Sequence, residues 1–212
     1  MLSIVIPVYN EEETVSGAVK EIKRILTDEH IAFEMVFVDD GSRDRSWQII
    51  CDEHQKDNRI KGVRFTRNFG KDAAIFAGLK HCKGDCAAVL DCDLQHPPEK
   101  LPEMYRLWEQ GFEVIEGVKS CRGREGVLHR TFANFFYNIM SKITKIDMRN
   151  ASDFKLLDRK VVNTLTKMPE HKMFFRTLSS WVGYKSTSVT YDVRERIGGS
   201  SKWSTKQLFK YA

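Results

Sequence analysis

Several hallmarks of common protein classes are missing from this chain of 212 residues. No apolar run approaches the roughly 18 residues that a transmembrane helix needs, so these residues contain no membrane-spanning segment. The N-terminal residues 1–7 lack the basic start and the cleavage site of a secretory signal peptide. No glycine-rich dinucleotide fingerprint, P-loop, serine elbow or paired zinc-binding histidine motif occurs, which removes the main sequence support for those enzyme classes.

The cysteines do not follow a disulfide pattern. Their number is odd and their spacing irregular, and the four-residue step from Cys82 to Cys86 is not that of a zinc ribbon. We therefore interpret them as free thiols in a reducing compartment. The five are Cys51, Cys82, Cys86, Cys92 and Cys121.

Charge is distributed unevenly along the chain. Residues 1–118 carry 22 acidic and 15 basic side chains, a net −7, whereas residues 119–212 carry 7 acidic and 19 basic ones, a net +12. Together they give the net charge of +5. A basic half favours anionic partners such as phosphates, acidic lipid or nucleic acid, although a basic face exposed only to water has the same composition.

Short apolar runs alternate with amphipathic segments through the first half of the chain. The strand-like runs are residues 2–8, 33–38, 60–65, 86–90 and 112–118. The helical patterns are residues 12–26, 44–54, 71–81 and 99–109. Asp44 is the expected N-cap of the second helix. This alternation is typical of βαβ units, so we predict one α/β domain with a mainly parallel sheet flanked by helices.

The alternation stops after Lys119. The expected elements there are a loop at 119–126, strands at 153–157 and 184–193, and a basic loop at 194–202. Residues 128–143 form an aromatic-rich helical pattern, whose apolar stripe suits either the core or a lipid surface. A further helical pattern begins at Trp203 and is cut off at the C-terminus, so we expect a truncated chain.

Acidic side chains follow three of the predicted strands. Glu11 comes after the first, Asp39 and Asp40 after the second, and Asp91 and Asp93 after the fourth. The carboxyl ends of parallel strands meet at one edge of a sheet, so we expect these groups to converge. The pair at 39–40 also suits a turn and helix cap, but Asp44 fits the cap, which leaves the pair available to a ligand.

A divalent cation suits the last of these strand ends. Asp91, Asp93 and Gln95 supply the hard oxygen ligands that Mg²⁺ or Mn²⁺ prefers. Mg²⁺ usually takes one or two protein carboxylates and completes its shell with water and substrate phosphates. The pattern therefore predicts a nucleoside diphosphate as the other half of the site.

Six segments carry a resemblance to a known family. Three of them, IVIPVYNE at 4–11, VDDGS at 38–42 and DCDLQHPPE at 91–99, resemble the GT-A glycosyltransferases of family 2. Three more, RNFGK at 67–71, DFKL at 153–156 and RIGGSSKW at 196–203, are similar to the polyprenyl-phosphate hexosyltransferase branch. The segments occur in family order over essentially the whole chain. The resemblance implies a GT-A fold, a Rossmann-like and mainly parallel sheet, with residues 1–118 binding the nucleotide sugar and a mixed half at 119–212 binding the acceptor.

The resemblance also implies site residues. The nucleotide-sugar site would comprise Pro7, Tyr9, Glu11, Val38, Asp39, Asp40, Asp91, Cys92, Asp93 and Gln95. The metal, Mg²⁺ or Mn²⁺, would lie on Asp91, Asp93 and Gln95. Phosphates of donor or acceptor would contact Lys119, Arg130, Arg196, Ser201 and Lys202. Lys119 stands where the mannose synthases usually have arginine, and a lysine lacks the bidentate fork.

Asp153 and Asp93 are the catalytic residues that the resemblance suggests. Asp153 matches the glucosyl and N-acetylglucosaminyl members better than the mannose synthases, which favours a UDP-hexose donor over GDP-mannose. The implied reaction transfers the hexose to polyprenyl phosphate with inversion in cell-envelope glycan synthesis. Because the acceptor phosphate is already anionic at neutral pH, we expect Asp153 mainly to orient the sugar or acceptor.

The branch further implies partners and location. We expect the protein at the cytoplasmic face of the cell membrane, with transmembrane helices after residue 212, a lipid surface as partner, and oligomers possible. One alternative is a GT-A enzyme acting on a sugar hydroxyl in capsule or cell-wall synthesis. A nucleic-acid-binding protein would leave the acidic strand ends unexplained, so no nucleic acid is expected. A receiver-like domain would be shorter than this chain.

Overall fold

The computed structural model describes residues 1–120, 152–168 and 174–192. The strands within these ranges are Leu2–Val8 (β1), Phe33–Asp39 (β2), Ile60–Arg64 (β3), Cys86–Val89 (β4), Val114–Lys119 (β5), Lys155–Asp158 (β6) and Ser186–Tyr191 (β7). The α-helices are Val15–Asp28 (α1), Ser46–Lys56 (α2), Lys71–His81 (α3), Leu101–Glu109 (α4), Arg159–Lys167 (α5) and Phe175–Trp181 (α6). A single 3₁₀ turn, Pro98–Lys100, leads into α4.

The described strands form one sheet in the order β3-β2-β1-β4-β6-β5-β7. β1 pairs in parallel with both β2 and β4, and β2 pairs in parallel with β3. β6 is antiparallel to both of its neighbours, and β5 and β7 are parallel to each other. The mainly parallel sheet is therefore confirmed, with one antiparallel strand at the junction with the second half.

Two hydrophobic cores cover the two faces of this sheet. Alternate residues of β1, such as Leu2, Ile4 and Ile6, pack under α1 with side chains of α4. Val5 points the other way and packs with α3 and α5. Burial on both faces explains why the central strands are nearly continuous apolar runs in the sequence.

Several elements begin or end at residues other than those predicted from the sequence. The second helix begins at Ser46 with Arg45 as N-cap residue, so Asp44 is not the N-cap. The Asp44 carboxylate instead accepts hydrogen bonds from both the backbone N–H and the hydroxyl of Ser46. α5 and α6 were not predicted, although Asp158 caps α5 by accepting from the N–H of Lys160. β7 is the edge strand that the alternation at 184–193 predicted.

Two smaller expectations concern membranes and thiols. No helix in the described part of the chain has both the length and the apolarity that crossing a bilayer requires. Cys51, Cys82, Cys86 and Cys92 are free thiols. Cys121 and the predicted helix at 128–143 lie outside the described residues.

Candidate active site

The carboxyl ends of β2, β1 and β4 lie side by side because these strands are parallel neighbours. Residues 9–11, 39–42 and 91–96 lie at or just after these strand ends, and we call them the acidic edge. Pro7 and Val38 pair across β1 and β2 just inside this edge, and the Tyr9 side chain beyond them is exposed. The structure thus brings the predicted nucleotide-binding residues of all three strand ends onto one edge.

The turn after β1 is fixed against α2. The backbone N–H of Glu11 donates to the Ser46 hydroxyl at 2.7 Å, and the Glu11 carboxylate accepts from the Thr14 hydroxyl at 2.9 Å. Asn10 adopts a left-handed conformation with φ of 54°, which asparagine tolerates better than most residues. Glu11 is thereby held at the acidic edge.

Asp39 lies fully buried at the end of β2. Its Oδ1 accepts the backbone N–H of Ser42 at 2.9 Å. Arg64 Nε lies 3.3 Å from Oδ2, but it is not aligned for a hydrogen bond, and Oδ2 has no hydrogen-bond partner in the described structure. A buried acceptor without a partner is costly, so this oxygen is suited to a donor on a ligand.

The Asp40 carboxylate accepts hydrogen bonds from the backbone of the loop at 67–70. Its two oxygens accept the N–H groups of Phe69 at 2.6 Å and Gly70 at 3.0 Å. Burial raises the pKa of this carboxyl despite these bonds. Gly41 has a φ of +69°, and a Cβ there would lie 2.5 Å from the backbone carbon of Arg67. Asp40 thus has a structural role in holding the loop at 67–70, and its availability to a ligand stays a prediction.

The turn after β4 carries the predicted metal ligands. The carboxylate of Asp93 is largely buried and accepts the backbone N–H of Gln95 at 3.1 Å. Leu94 between them has a φ of 54°. The Cys92 thiol lies in the core, where burial raises its pKa to about 12, and its sulfur is 3.4 Å from the Thr14 hydroxyl oxygen. Cys92 therefore separates Asp91 from Asp93 along the chain, and its buried side chain does not face a ligand.

Lys71 and Arg176 converge on Asp153 beside this turn. Lys71 Nζ lies 2.7 Å from Asp91 Oδ1 and 2.8 Å from Asp153 Oδ2. Arg176 donates to both oxygens of Asp153, at 3.0 Å and 2.8 Å. Burial alone would raise the pKa of Asp153, but the Arg176 hydrogen bonds and the Lys71 charge hold that pKa well below its usual range. Asp153 is therefore ionised and doubly paired, which suits an orienting group better than a proton acceptor.

The His96 side chain is buried beneath the acidic edge, against two aromatic rings. Its ring stacks on Phe154 with 5.2 Å between centroids and meets Tyr191 edge-on. Its Nδ1 atom is buried without a hydrogen-bond partner in the described part of the chain and lies 3.7 Å from Asp91 Oδ2. Burial lowers the pKa of this imidazole, so the ring is neutral near pH 7.

The remaining predicted residues are distributed differently. Gln95 is half-buried at the acidic edge, whereas Lys119 is exposed at the end of β5, beyond β6 from β4. Arg130, Arg196, Ser201 and Lys202 lie outside the described residues. Reasoning from the sequence missed Arg176 altogether, and no motif marks it. Lys71 belonged to the quoted RNFGK segment, which was a signal of its importance.

The donor set at the acidic edge fits a divalent cation that shares its ligands with a substrate. Within the described ranges, no group of three His, Cys, Asp or Glu side chains surrounds a common point. Asp91 and Asp93 nevertheless offer two carboxylates from one turn, and Mg²⁺ typically takes one or two and leaves positions for phosphate oxygens. The carboxylate chemistry therefore matches the predicted Mg²⁺ or Mn²⁺.

The sheet topology and the carboxylates at its carboxyl edge agree with the GT-A fold that the sequence resemblance implies. The chain belongs to glycosyl transferase family 2, whose family model matches residues 3–166. It is similar to the uncharacterized glycosyltransferase YkcC of Bacillus subtilis, at 39% identity over 209 residues, 98% of this chain and 65% of the relative. It is also similar to the prophage bactoprenol glucosyl transferase homolog of Escherichia coli, at 38% identity over 213 residues, 100% of this chain and 69% of the relative.

A solved structure confirms the predicted GT-A fold. Glucosyl-3-phosphoglycerate synthase from Mycobacterium tuberculosis, in complex with Mn²⁺, UDP and glucosyl-3-phosphoglycerate, superposes with a TM-score of 0.71 at 18% identity. The match covers 99% of this chain and 75% of that one. The chain spans about two thirds of the length of the curated relatives it matches.

Proposed function

We propose that this chain catalyses transfer of glucose from a nucleotide sugar to polyprenyl phosphate, with inversion at the anomeric carbon, in cell-envelope glycan synthesis. The observation that carries the proposal is the match of the whole chain, donor and acceptor halves alike, to proteins named bactoprenol glucosyl transferase at 37% identity. The donor is a UDP-hexose, with UDP-glucose favoured over UDP-N-acetylglucosamine.

The acidic edge supports the donor half of this proposal. The buried Oδ2 of Asp39 offers an acceptor to an N–H group of the nucleoside. Asp91 and Asp93, with Gln95 beside them, would hold Mg²⁺ or Mn²⁺ together with the diphosphate. Such an ion, when bound, supplies positive charge that stabilises the leaving nucleoside diphosphate.

The chemistry then requires little proton transfer from the protein. An oxygen of the acceptor phosphate forms the new bond to the anomeric carbon, and the bond to the donor diphosphate breaks with its electron pair leaving on UDP. The acceptor is a phosphate monoester whose second pKa is about 6, so it is mostly dianionic at pH 7. Asp153, paired with two cations, orients the reactants, and the barrier is lowered by positioning and charge neutralisation.

A polyprenyl-phosphate acceptor would put this reaction at a membrane surface, and we propose the cytoplasmic face. The net +12 of residues 119–212 suits both the acceptor phosphate and acidic headgroups, and each basic side chain near such a surface contributes about 1 kcal/mol. Lys119, Arg130, Arg196, Ser201 and Lys202 are proposed to contact phosphates of donor or acceptor.

A donor screen tests the proposal. The purified protein is incubated with Mn²⁺, undecaprenyl phosphate in detergent and a panel of UDP- and GDP-sugars, and nucleotide release is measured with and without the lipid. We expect lipid-dependent UDP release that is fastest with UDP-glucose. Release only from GDP-mannose would contradict the donor assignment, and release that depends on a sugar acceptor but not on the lipid would favour transfer to a hydroxyl.

A further inference from the structure

A buried imidazole nitrogen lies beside one of the carboxylates of the acidic edge. The Nδ1 atom of His96 is buried and has no hydrogen-bond partner within residues 1–120, 152–168 and 174–192. Asp91 Oδ2 lies 3.7 Å from it, beyond the roughly 3.2 Å of an ordinary N–H···O hydrogen bond. A buried polar atom left unpaired is costly, so its presence in a folded protein calls for a reason.

Two aromatic rings fix the plane of the His96 ring. It stacks on Phe154 with 10° between the planes and meets Tyr191 at 86°, and Phe154 and Tyr191 also pack edge to face. The backbone N–H of Phe154 donates to Ser152 Oγ at 3.1 Å, and that hydroxyl lies 3.4 Å from the Tyr191 hydroxyl. The imidazole therefore keeps one plane, and its Nδ1 atom lies on the side of Asp91.

A strand glycine makes room for the ring on which His96 stacks. A Cβ at Gly117 on β5 would lie 2.4 Å from Cδ1 of Phe154. The Gly117 N–H also donates to the Phe154 carbonyl at 2.7 Å. Phe154 is thus packed closely against the backbone of β5, so it cannot withdraw from His96 toward this strand.

The charge on Asp91 decides which nitrogen of the imidazole carries the proton. A neutral imidazole has one N–H group, and its neighbours determine whether that group is at Nδ1 or Nε2. A lone pair on Nδ1 would face the negative carboxylate, whereas an N–H there directs a donor toward it. The tautomer with its proton on Nδ1 is therefore favoured, and His96 presents a donor to Asp91.

The Asp91 carboxylate still has room for a cation. Lys71 Nζ lies 2.7 Å from its Oδ1 atom, and the Asp91 side chain is 28% exposed. A carboxylate has about four lone-pair sites, so Lys71 and His96 together do not use them all. Carboxylates that bind a metal are commonly held by hydrogen bonds from neighbouring groups, and hydrogen bonds in active sites often shorten only in the complex.

We propose that His96 is a positioning residue for the metal site, whose Nδ1–H donates to Asp91 Oδ2 and orients this carboxylate toward Mg²⁺ or Mn²⁺. The inference rests on the metal assignment within the proposed function and adds a residue to it. A small rotation of the Asp91 carboxylate closes the distance to Nδ1, while the imidazole stays between its aromatic neighbours. Because Nδ1 is buried behind Asp91, His96 acts on metal affinity rather than on the reacting atoms.

Mn²⁺ binding tests this role without turnover. The affinity of the purified protein for Mn²⁺ is measured by electron paramagnetic resonance in the presence of UDP and the absence of lipid. His96→Phe keeps a ring for stacking but removes the nitrogen, so it should weaken Mn²⁺ binding roughly tenfold. His81→Phe makes the same change at an exposed position, at the end of α3 opposite Lys71, and should keep the wild-type affinity.

The position of the nitrogen separates a hydrogen bond from packing. The amide nitrogen of asparagine is bonded to Cγ, as Nδ1 of histidine is, whereas that of glutamine lies one bond further out. His96→Asn should therefore recover part of the Mn²⁺ affinity that His96→Phe loses, and His96→Gln should recover none. Thermal unfolding shows which variants are folded, and the Asn and Gln variants decide the matter if His96→Phe does not fold.

Two results would overturn the proposal: wild-type Mn²⁺ affinity in a folded His96→Phe protein, or equal affinities of His96→Asn and His96→Gln. A wild-type protein that binds no Mn²⁺ even with UDP would remove the metal assignment, and the role of His96 with it. Since lipid is absent, a failure of glucose transfer to polyprenyl phosphate would appear only in the donor screen and is distinguishable from a failure of this proposal.

Discussion

The Arg176 guanidinium makes a bidentate contact with the Asp153 carboxylate. Its Nε donates to Oδ1 at 3.0 Å and its Nη2 donates to Oδ2 at 2.8 Å. A guanidinium fork of this kind fixes the plane of a carboxylate and keeps it ionised. The pKa of Asp153 is accordingly held below its ordinary value in spite of burial. The same contact therefore orients Asp153 in the site and also contributes to the stability of the folded protein.

Asp153→Asn should destabilise the protein in a pH-dependent way. Because the folded pKa is depressed, the ionised carboxylate contributes stability above its unfolded pKa of about 4, and this contribution is lost as the pH falls through the folded pKa. The variant should lose about 1–3 kcal/mol of unfolding free energy at pH 7, and the difference from wild type should shrink below pH ~4. Urea unfolding at pH 7 and pH 3 measures it, with the exposed Asp28→Asn as control; an equal deficit at both values would contradict the account.

Gly41→Ala should be strongly unfavourable, whereas Gly17→Ala should not. Gly41 combines a φ of +69° with a space in which a Cβ would lie 2.5 Å from the Arg67 backbone, so the loss should reach about 2 kcal/mol or more. Gly17 lies in α1 with nothing within 4 Å of a Cβ, and alanine there should stabilise the helix by up to about 1 kcal/mol. Thermal unfolding of the pair checks both signs, and a stabilised Gly41→Ala would disprove the description of this turn.

Lys155→Met should leave the Glu116 carboxylate without its cation, with only the Ser180 hydroxyl still donating to it at 2.6 Å. Glu116 and the Ser180 hydroxyl would both lose a hydrogen bond to the buried ammonium, which should cost about 3 kcal/mol. Adding Glu116→Leu removes the stranded charge, so the double variant should be more stable than the single one. A double-mutant cycle by chemical denaturation measures the coupling, and strictly additive losses would show that the pair does not act as described.

Much of the structure of residues 1–118 was predictable from local sequence. β1, β2 and β4 are buried on both faces, so they are recognisable in the sequence as continuous apolar runs. Their parallel arrangement then places Asp39, Asp91 and Asp93 on one edge of the sheet. Helix boundaries were predicted less well: α2 begins at Ser46, two residues after the predicted start at Asp44. These errors are local and leave the acidic edge unchanged.

Contacts between residues far apart in the sequence could not be predicted in the same way. Asp40 bonds to backbone groups 29 and 30 residues away, and nothing in the VDDGS segment distinguishes that role from ligand binding. Arg176 reaches Asp153 only because β6 runs antiparallel between β4 and β5 and brings the following helices back over the sheet. Long-range pairing of this kind leaves no periodic signal in the sequence.

Asp93→Ala should abolish turnover without unfolding the protein. The change removes one of the two carboxylates proposed to hold Mg²⁺ or Mn²⁺, so activity should fall by roughly 100-fold or more. Mn²⁺ binding, followed by electron paramagnetic resonance in the absence of lipid, should weaken in parallel. Glu99→Ala, an exposed carboxylate on the same loop, is the matched control. Near-normal activity in a folded Asp93→Ala protein would rule out the metal assignment.

The most direct test of the account is the identity of the product. The protein is incubated with Mn²⁺, ¹³C-labelled UDP-glucose and undecaprenyl phosphate, and the lipid fraction is examined by mass spectrometry. The account predicts undecaprenyl phosphate carrying one labelled hexose, formed by the wild-type protein and lost in Asp93→Ala. Labelled sugar found only on a soluble hydroxyl acceptor, with the lipid unmodified, would contradict it.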